Sequence, residues 1–428
     1  MNNRLIFAEK AFTILSLMNY SGAPLVLILS GGASEGDEGG GGPTDFALIQ
    51  LLFLVIYFIT FCLLVLRWKK VIPVIHKSVL TWLLIGVAVF SYFWSYEPKL
   101  TMTRIIALIG TMLFSVYLAS RYSGKEQLEL LGWLFGLTVV GSFLFCAGLP
   151  KYGVMGGVHA GAWRGMYNHK NVLGKFMAPS TIVFLLLALR AQKKRWLFWG
   201  GLGLSVLLLI LSKASSPLLN LIILLVAFLL FRILRWRYDL MITTLLGISS
   251  LGLLLYTLIV DNAEAIAAAF GKDLTLTGRT DFWPLVVDKI EQRPWLGYGF
   301  GAFWHGYDGP SSYIWYAVTF KAPNSHNGYL DLCLELGLVG FSIYMIEFVI
   351  SFQKAIAYIR LVKTSDAFFP VLFLIYIILA NLTESTLIIQ NNFFFVIQVA
   401  IFFSIRIPQE PEKTIFDDTY PNRFDIRF

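Results

Sequence analysis

The sequence predicts an all-α integral membrane protein with about twelve membrane-spanning helices. Hydrophobic residues make up 57% of the 428 positions and charged residues only 14%, whereas a soluble domain carries about 25% charged residues. The remaining charges are clustered in short Lys/Arg groups between long apolar runs. This alternation is typical of helices that cross a bilayer and of the loops that join them.

Twelve apolar runs approach the length needed to cross about 30 Å of hydrocarbon. They lie at residues 11–30, 46–66, 79–95, 101–120, 128–147, 172–189, 196–211, 216–234, 240–260, 330–351, 367–382 and 390–405. A cleaved signal peptide would also fit the first run, but the loop pattern described next requires that run to be retained. The whole chain, 1–428, is therefore expected to form one polytopic domain.

The basic residues of the short connections fall on alternate sides of the predicted membrane. Connections at 67–77, 121–125, 190–195, 232–237 and 354–363 carry them, whereas loop 31–45 has acidic residues and no basic residue. Because Lys/Arg-rich loops stay in the cytoplasm, both termini, with the tail 406–428, are predicted to be cytoplasmic. The excess of 34 basic over 26 acidic residues then reflects topology, and nucleic acid is not an expected partner.

Two connections on the opposite face, residues 148–171 and 261–329, are long, aromatic and rich in glycine. The second joins predicted spans nine and ten. Together they hold four of the five histidines and several Arg and Lys residues. The charge rule applies to short loops, so these basic residues need another explanation, and binding of an anion is the natural one. The functional site is predicted in these two loops.

The first candidate cluster runs from Trp163 to Asn171, with the sequence W-R-G-M-Y-N-H-K-N. Arg164 offers a planar fork of donors that suits phosphate oxygens. His169, Lys170 and Asn171 stand at the start of a span, where free N–H groups and the helix dipole favour an anion. The alternative is that these basic residues anchor the span to lipid headgroups.

The second cluster contains Arg279 and Asp281, which is predicted to cap an amphipathic helix that ends before Arg293 and Pro294. A helix of this kind is expected to lie on the membrane surface. The glycine-rich segment 297–301, with Tyr298 inside it, is expected to approach other groups closely. No strand precedes these glycines, so they are weak evidence for a nucleotide site.

The third cluster is Ser325, His326 and Asn327 at the entrance of the tenth predicted span. A histidine at the mouth of a span can act as a base at neutral pH. The alternative is a helix-capping group with a hydrogen-bonded histidine. Arg104 and Lys213 fall within apolar runs on the same side, where a charge is costly and usually faces a cavity, although both side chains could instead extend to the interface.

These segments together resemble the O-antigen ligase and polysaccharide polymerase superfamily (the Wzy-C type). The resemblance is carried by R-G-M-Y-N-H-K-N-V-L-G from Arg164, by G-R-T-D-F-W through P-W-L-G-Y-G-F-G-A-F from Gly278, and by S-H-N-G-Y-L-D-L-C-L-E-L-G-L-V-G from Ser325. The H-K-N form of the first is most similar to ExoQ-like exopolysaccharide polymerases. The order of the segments and the long loop between spans nine and ten also match.

The resemblance implies a GT-C-like, metal-independent glycosyltransferase without a cofactor. It would act on undecaprenyl diphosphate-linked glycans at the periplasmic face of the bacterial inner membrane, with a glycan or lipid acceptor and other polysaccharide export proteins as further partners. Carried onto this sequence, Arg164 and Arg279 would hold the diphosphate, and His326 would be the catalytic base. The remaining expected substrate contacts are His169, Lys170, Asn171, Asp281, Tyr298, Ser325, Asn327, Arg104 and Lys213.

One departure from the family pattern bears on the reaction. Ligases carry histidine two positions before the asparagine of the third motif, where this chain has Ser325, and the histidine stands next to it as His326. This favours a polymerase over a ligase that delivers a finished glycan to a lipid A-core or other acceptor. A transporter of an anion such as bicarbonate is a third hypothesis, against which the basic residues lie in outer loops and not in broken helices at mid-membrane.

Overall fold

The structure is a computed structural model that describes residues 3–32, 47–235, 240–244, 279–318 and 322–405, with the backbone alone for residues 279–281. Loop 33–46, the rest of the ninth predicted span and the tail 406–428 lie outside the described residues. So do residues 261–278 of the second long loop. Residues 240–244, at the start of that ninth span, are helical.

The described chain is built from α-helices, which confirms the predicted all-α class. In chain order they are α1 (Asn3–Tyr20), α2 (Leu25–Leu29), α3 (Ala47–Leu66), α4 (Trp68–Ile75), α5 (Val79–Phe90), α6 (Pro98–Arg121), α7 (Gly124–Gly148), α8 (Pro150–Gly153), α9 (Lys170–Arg190), α10 (Arg195–Leu211), α11 (Ser215–Ile233), α12 (Arg279–Gln292), α13 (Ser312–Val318), α14 (Gly328–Leu361), α15 (Phe369–Asn381) and α16 (Phe393–Ser404).

Six of the described helices, α3, α6, α7, α9, α11 and α14, are long and apolar enough to cross a membrane. Helix α4 and the helical stretch 79–93 form a pair bent by 87°, and three further apolar helices are shorter, at Arg195–Leu211, Ser365–Asn381 and Phe393–Ser404. These lengths and compositions support a multi-pass membrane protein. The full count of twelve spans stays a prediction.

The first helix differs from its predicted range of 11–30. Helix α1 begins at Asn3 and ends at Tyr20, because a turn with Gly22 at φ +78° follows it. The predicted span began after Lys10, because charged residues precede that point in the sequence. In the structure the Glu9 carboxylate is paired with Arg67 and, at 3.1 Å, with Arg121, so the charge lies inside the helix with its partners.

Burial separates helices that face the core from helices that face lipid. In α9, 78% of the apolar stretch is buried, whereas in α3 only 22% is buried although its sequence is more apolar. Leu54, Phe58 and Phe61 on α3 are exposed. A helix that is apolar all round but mostly uncovered needs an apolar surrounding, and the bilayer supplies it.

Alternating helices give the bundle two ends. The motif end comprises residues 91–97, 150–169, 212–214, 294–311, 324–327 and 382–392, and the opposite end comprises residues 67–78, 121–124, 191–194 and 362–368. Connections at the same end are tied by backbone hydrogen bonds, such as Tyr96 N–H to Tyr298 O at 2.9 Å and Trp163 N–H to Leu211 O at 3.0 Å. The described parts of both long loops lie at the motif end.

Candidate active site

Arg164 is a buried arginine whose guanidinium is bonded to backbone carbonyls of the protein. The residue is 3% exposed. Its Nε donates to Tyr152 O at 2.7 Å, and Nη2 donates to Gly32 O at 2.7 Å and Lys151 O at 3.1 Å. A contact from Nη1 to Asn168 O measures 3.5 Å. Arg164 therefore ties the 150–169 loop to the turn that follows α2.

His169 caps the N-terminus of α9. Its Nδ1 accepts a hydrogen bond from the Asn171 N–H at 3.2 Å. Burial lowers the pKa of His169 to about 4, and the nearby His159 and Lys170 charges act in the same direction. The imidazole is therefore neutral above about pH 4, and a neutral ring is required for Nδ1 to accept the hydrogen bond. The His159 ring lies edge-on to it, with centroids 5.5 Å apart.

A lysine–glutamate pair connects the first cluster to the loop between α15 and α16. Lys175 Nζ lies 3.1 Å from Glu384 Oε2, and both side chains are largely covered. Beside the pair is a small polar cavity of about 20 Å³, also lined by Asn171, Asn220 and Thr383. The pair brings residues about 200 positions apart in the chain into one local electrostatic group.

The third cluster is organised by a buried carboxylate that the sequence analysis did not select. Asp331, in the first turn of α14, is 8% exposed. Its Oδ1 accepts from Trp304 Nε1 at 2.8 Å and from the Ser325 N–H at 3.1 Å, and its Oδ2 accepts from Ser385 Oγ. An acidic residue inside the apolar run Y-L-D-L-C-L was the available signal, because such a residue is costly unless it is bonded.

The side chains of Ser325 and Asn327 hold the turn that carries His326. Ser325 is fully buried and donates from Oγ to Asn327 O at 2.7 Å. Asn327 caps α14, since its Oδ1 accepts from the Tyr329 N–H at 3.0 Å. His326 itself is half-buried at φ +52°, and its N–H donates to Asn324 Oδ1 at 2.9 Å. A non-glycine residue with positive φ is uncommon and is maintained by such surrounding contacts.

Helix α12 lies against this turn. Trp283 Nε1 donates to Ser325 O at 3.0 Å, and Arg279 lies four residues earlier, about 6 Å along the helix axis. The backbone is already helical over the described residues 279–281, so Asp281 lies inside the helix. The prediction that Asp281 is the N-cap is therefore wrong.

The apolar face of α12 packs on the protein, so its amphipathic pattern does not require a membrane contact, and the expected position on the membrane surface stays a prediction. Phe282 and Val286 are buried in a small cluster with Tyr298, Phe303 and Leu334. The predicted amphipathic pattern was right, but the chain itself supplies the apolar partner, because the segment after the helix folds back between α12 and α14.

Helix α14 is broken at Gly337, and the segment 294–299 completes its hydrogen bonds. Gly337 has φ +65° and ψ −170°, which interrupts the helix. Two amides of α14 after the break donate to the segment: Leu338 N–H to Pro294 O at 2.7 Å and Val339 N–H to Trp295 O at 3.2 Å. Two amides of the segment donate to carbonyls of α14 before the break: Tyr298 N–H to Leu334 O at 2.8 Å and Gly299 N–H to Glu335 O at 3.0 Å. The glycines of 297–301 thus serve close backbone packing, as predicted.

Arg104 lies beneath the glycine-rich segment, in the second turn of α6. A Cβ built on Gly301 would lie 2.5 Å from Arg104 Nη1, and Gly301 has φ +68°. The carboxylate of Glu335 interacts electrostatically with Arg104 and with the Gly301 amide. Arg104 therefore lies next to the glycine-rich segment of the second long loop and to Glu335 of α14, and the sequence had placed it near the long loops.

Of the two remaining candidate residues, Tyr298 is buried and Lys213 is exposed. Tyr298 is 5% exposed, its hydroxyl donates to Lys289 O at 3.0 Å, and burial raises its pKa. Lys213 stands in the turn between α10 and α11 and not inside a span, since α10 ends at Leu211. Lys213 is exposed, and its Nζ would lie 3.7 Å from a Cβ on Gly161, which places it beside the 157–162 turn.

The three clusters that are far apart in the sequence meet at the motif end. The second joins the third through Trp283 and Ser325. The third is joined to α9, the helix that begins in the first cluster, through two consecutive residues, since Ser385 contacts Asp331 and Glu384 contacts Lys175 of α9. This arrangement combines cationic groups, a histidine and buried carboxylates at one end of an apolar bundle, which suits an anionic substrate with a lipid part. The catalytic and substrate-binding roles of individual residues stay predictions.

Comparison with known protein families agrees with the resemblance found in the sequence. The family described as O-antigen ligase (Wzy_C) matches residues 200–345 of this chain. The matched region contains the second and third clusters, with Arg279 and His326, and does not include Arg164. The predicted resemblance to the O-antigen ligase and polysaccharide polymerase superfamily is confirmed.

The chain is also similar to a relative that is named for exopolysaccharide production. The chain is 23% identical over 279 residues to the exopolysaccharide production protein ExoQ of Rhizobium meliloti (strain 1021). The alignment covers 62% of this chain and 62% of the relative, which is less than two thirds of the relative's length. The resemblance to ExoQ-like proteins inferred from the H-K-N motif is confirmed as well.

Proposed function

We propose that this protein is a membrane glycosyltransferase of the GT-C type that polymerises undecaprenyl diphosphate-linked oligosaccharide repeats at the periplasmic face of the bacterial inner membrane. The observation that carries the proposal is the meeting of the three motifs at one end of the bundle through Trp283, Ser325 and Glu384. The relative named for exopolysaccharide production supports the polymerase branch.

In the proposed reaction an acceptor sugar hydroxyl attacks the anomeric carbon of the lipid-linked glycan. The new C–O bond forms as the bond from that carbon to the diphosphate oxygen breaks, and the diphosphate keeps the electron pair. The hydroxyl proton passes to His326, whose place in a constrained turn suits a general base. No nucleoside triphosphate is needed, because the lipid diphosphate is already a good leaving group.

Charge that develops on the diphosphate requires cations at the motif end. Arg279 is proposed to donate to it, and a charge-assisted hydrogen bond contributes about 1.5–3 kcal/mol. Arg164 is proposed to act beside it, but its guanidinium donates to protein carbonyls. A direct grip on the diphosphate requires some of those bonds to be exchanged. Otherwise Arg164 positions the loop that presents His169 and Lys170.

The position of Ser325 is relevant to the choice between polymerase and ligase. Ser325 is fully buried, and its Oγ and N–H are bonded to Asn327 and Asp331. The position that carries histidine in ligases is therefore filled in this chain by a small side chain that is enclosed by the protein, whereas His326 is only half-buried. This supports the polymerase, in which the neighbouring His326 is the base.

The test uses the purified full chain and a lipid diphosphate-linked oligosaccharide, with products resolved by size. Self-extension of the donor alone, in the presence of a chelator, is the expected result. Arg279→Ala is expected to abolish extension, and His326→Gln to slow it about 10²–10⁴-fold, while Arg360→Ala at the far end of α14 retains it. Near-full turnover by Arg279→Ala would refute its diphosphate role.

The ligase is the second candidate, because the matching family is described as O-antigen ligase. A ligase consumes the lipid-linked glycan only when a separate lipid or other acceptor is added. The donor-only reaction therefore distinguishes the two enzymes. Solute uptake by proteoliposomes without any glycan transfer would instead identify a carrier, such as an anion transporter.

A further inference from the structure

A large cleft lies at the opposite end of the bundle, away from the three motifs, between α7, α9 and α10. Its volume is about 980 Å³. One wall is a face of α7 on which Trp133, Leu137 and Val140 follow helical spacing and are 68%, 47% and 55% exposed. The rest of the apolar lining is Phe184, Leu187, Leu197 and Phe198. These surfaces belong to apolar helices, so a hydrocarbon chain fits against them.

The cleft becomes cationic where it reaches the connection between α9 and α10. Lys125, Arg190, Lys193 and Lys194 line it there, with Glu129 as the one carboxylate of the lining. Arg190 Nη2 donates to Glu129 Oε1 at 2.8 Å. Its Nη1 is buried and has no hydrogen-bond partner among the residues the structure describes. A buried donor without a partner is costly. Arg190 lines the cleft, so rotation of its guanidinium toward the cleft would pair this donor with an anionic oxygen there.

The N-terminus of α10 adds a second feature that favours an anion at the same place. Lys194 occupies the N-cap with φ +54°, and its side chain makes no cap hydrogen bond to the first turn. Helix α10 is 17 residues long, so its dipole favours a negative charge at this end. A lysine with positive φ is strained and is maintained only where its surroundings require that conformation.

We infer that this cleft binds an anionic glycerophospholipid from the membrane leaflet at the opposite end. The lipid phosphate lies between Arg190, Lys193, Lys194 and the first turn of α10, and an acyl chain runs along Trp133 and its neighbours on α7. The apolar cleft with one cationic end matches the two halves of such a lipid. The site is independent of the glycosyltransferase reaction, because it lies at the other end of the bundle.

Native mass spectrometry of the detergent-purified full chain tests this with phosphatidylglycerol and phosphatidylcholine of identical chains. The protein is expected to retain phosphatidylglycerol preferentially. Lys193→Gln/Lys194→Gln is expected to weaken its retention about 25-fold, at about fivefold per basic residue near the surface. The matched control is Lys69→Gln/Lys70→Gln, which removes two exposed lysines at the same end but outside the cleft.

A second variant fills the apolar part. A Cβ on Gly136, which lines the cleft, meets nothing within 4 Å, so Gly136→Leu is expected to occupy the cleft and displace the lipid. Gly203→Leu, on the exposed surface of α10 with equally open space, is its control. Equal retention of both lipids, equal loss in both lysine pairs, or full retention by Gly136→Leu overturns the inference. The lysine variants decide it alone if Gly136→Leu does not fold.

Discussion

The break in α14 allows a sharp prediction about stability. Gly337 has φ +65° and ψ −170°, and an added Cβ would lie 2.2 Å from Trp295 O. Gly337→Ala therefore meets two obstacles, since a side chain disfavours this backbone conformation and the Trp295 carbonyl occupies the space. Removing the overlap requires the 294–299 segment to move away from the helix.

The expected magnitude follows from these contacts. A non-glycine residue in this region of φ/ψ space costs about 1–3 kcal/mol. Moving the segment weakens the two hydrogen bonds that follow the break, Leu338 N–H to Pro294 O and Val339 N–H to Trp295 O, and each is worth about 1 kcal/mol. Together the substitution should lower the free energy of unfolding by about 3–5 kcal/mol.

Denaturant unfolding of the purified protein, followed by tryptophan fluorescence, measures this loss. The matched control is Gly203→Ala in α10, where the added Cβ meets nothing within 4 Å and alanine favours the helix by about 0.5–1 kcal/mol. If Gly337→Ala unfolds within about 1 kcal/mol of Gly203→Ala, the 294–299 segment does not brace the break, and the reasoning fails.

Three further predictions concern the motif end. Asp331→Ala leaves three donors unpaired and should lower the free energy of unfolding by about 3 kcal/mol or more, whereas Asp288→Ala on the exposed side of α12 should leave thermal unfolding unchanged. His169 has a pKa of about 4 in the folded protein, below its unfolded value of about 6.5. Stability should therefore fall as the pH drops from about 6.5 to about 4 and level off below; His169→Asn keeps a cap and should remove that dependence in thermal unfolding at several pH values. Arg164→Lys keeps the positive charge but loses the planar guanidinium that donates to several carbonyls at once. The 150–169 loop of this variant should therefore be cleaved faster in limited proteolysis than that of the unmodified protein. An unchanged cleavage rate would contradict the structural role of Arg164.

Much of the architecture followed from periodicity and charge. Long apolar runs between basic connections predict helices, and the predicted runs that the structure describes are helical over most of their length. The first run is the exception, because the turn at Gly22 divides it between α1 and α2. The amphipathic pattern of α12 and its end before Pro294 were predicted from local residue preferences. Local signals suffice here, because hydrophobic spacing and proline act within a few residues of the chain.

Other features could not be read locally. The place of Glu9 inside α1 depends on two partners from elsewhere in the chain, since its carboxylate pairs with Arg67, between α3 and α4, and with Arg121 at the end of α6. Whether the apolar face of α12 meets lipid or protein depends on the fold of the segment that follows it. In both places the sequence shows a residue or a face that needs a partner, and only the packed bundle supplies the partner.

The sequence by itself determined the helical class, the membrane setting and the three motifs with their family resemblance, because each depends on composition or on a short run of residues. The tertiary structure decided that these motifs meet, that Asp331 and Glu384 join them through Ser385 and Lys175, and that Arg164 faces backbone carbonyls, including that of Gly32. These three contacts join residues that lie 54, 209 and 132 positions apart in the chain. Their geometry is set by helix packing, which no local pattern encodes.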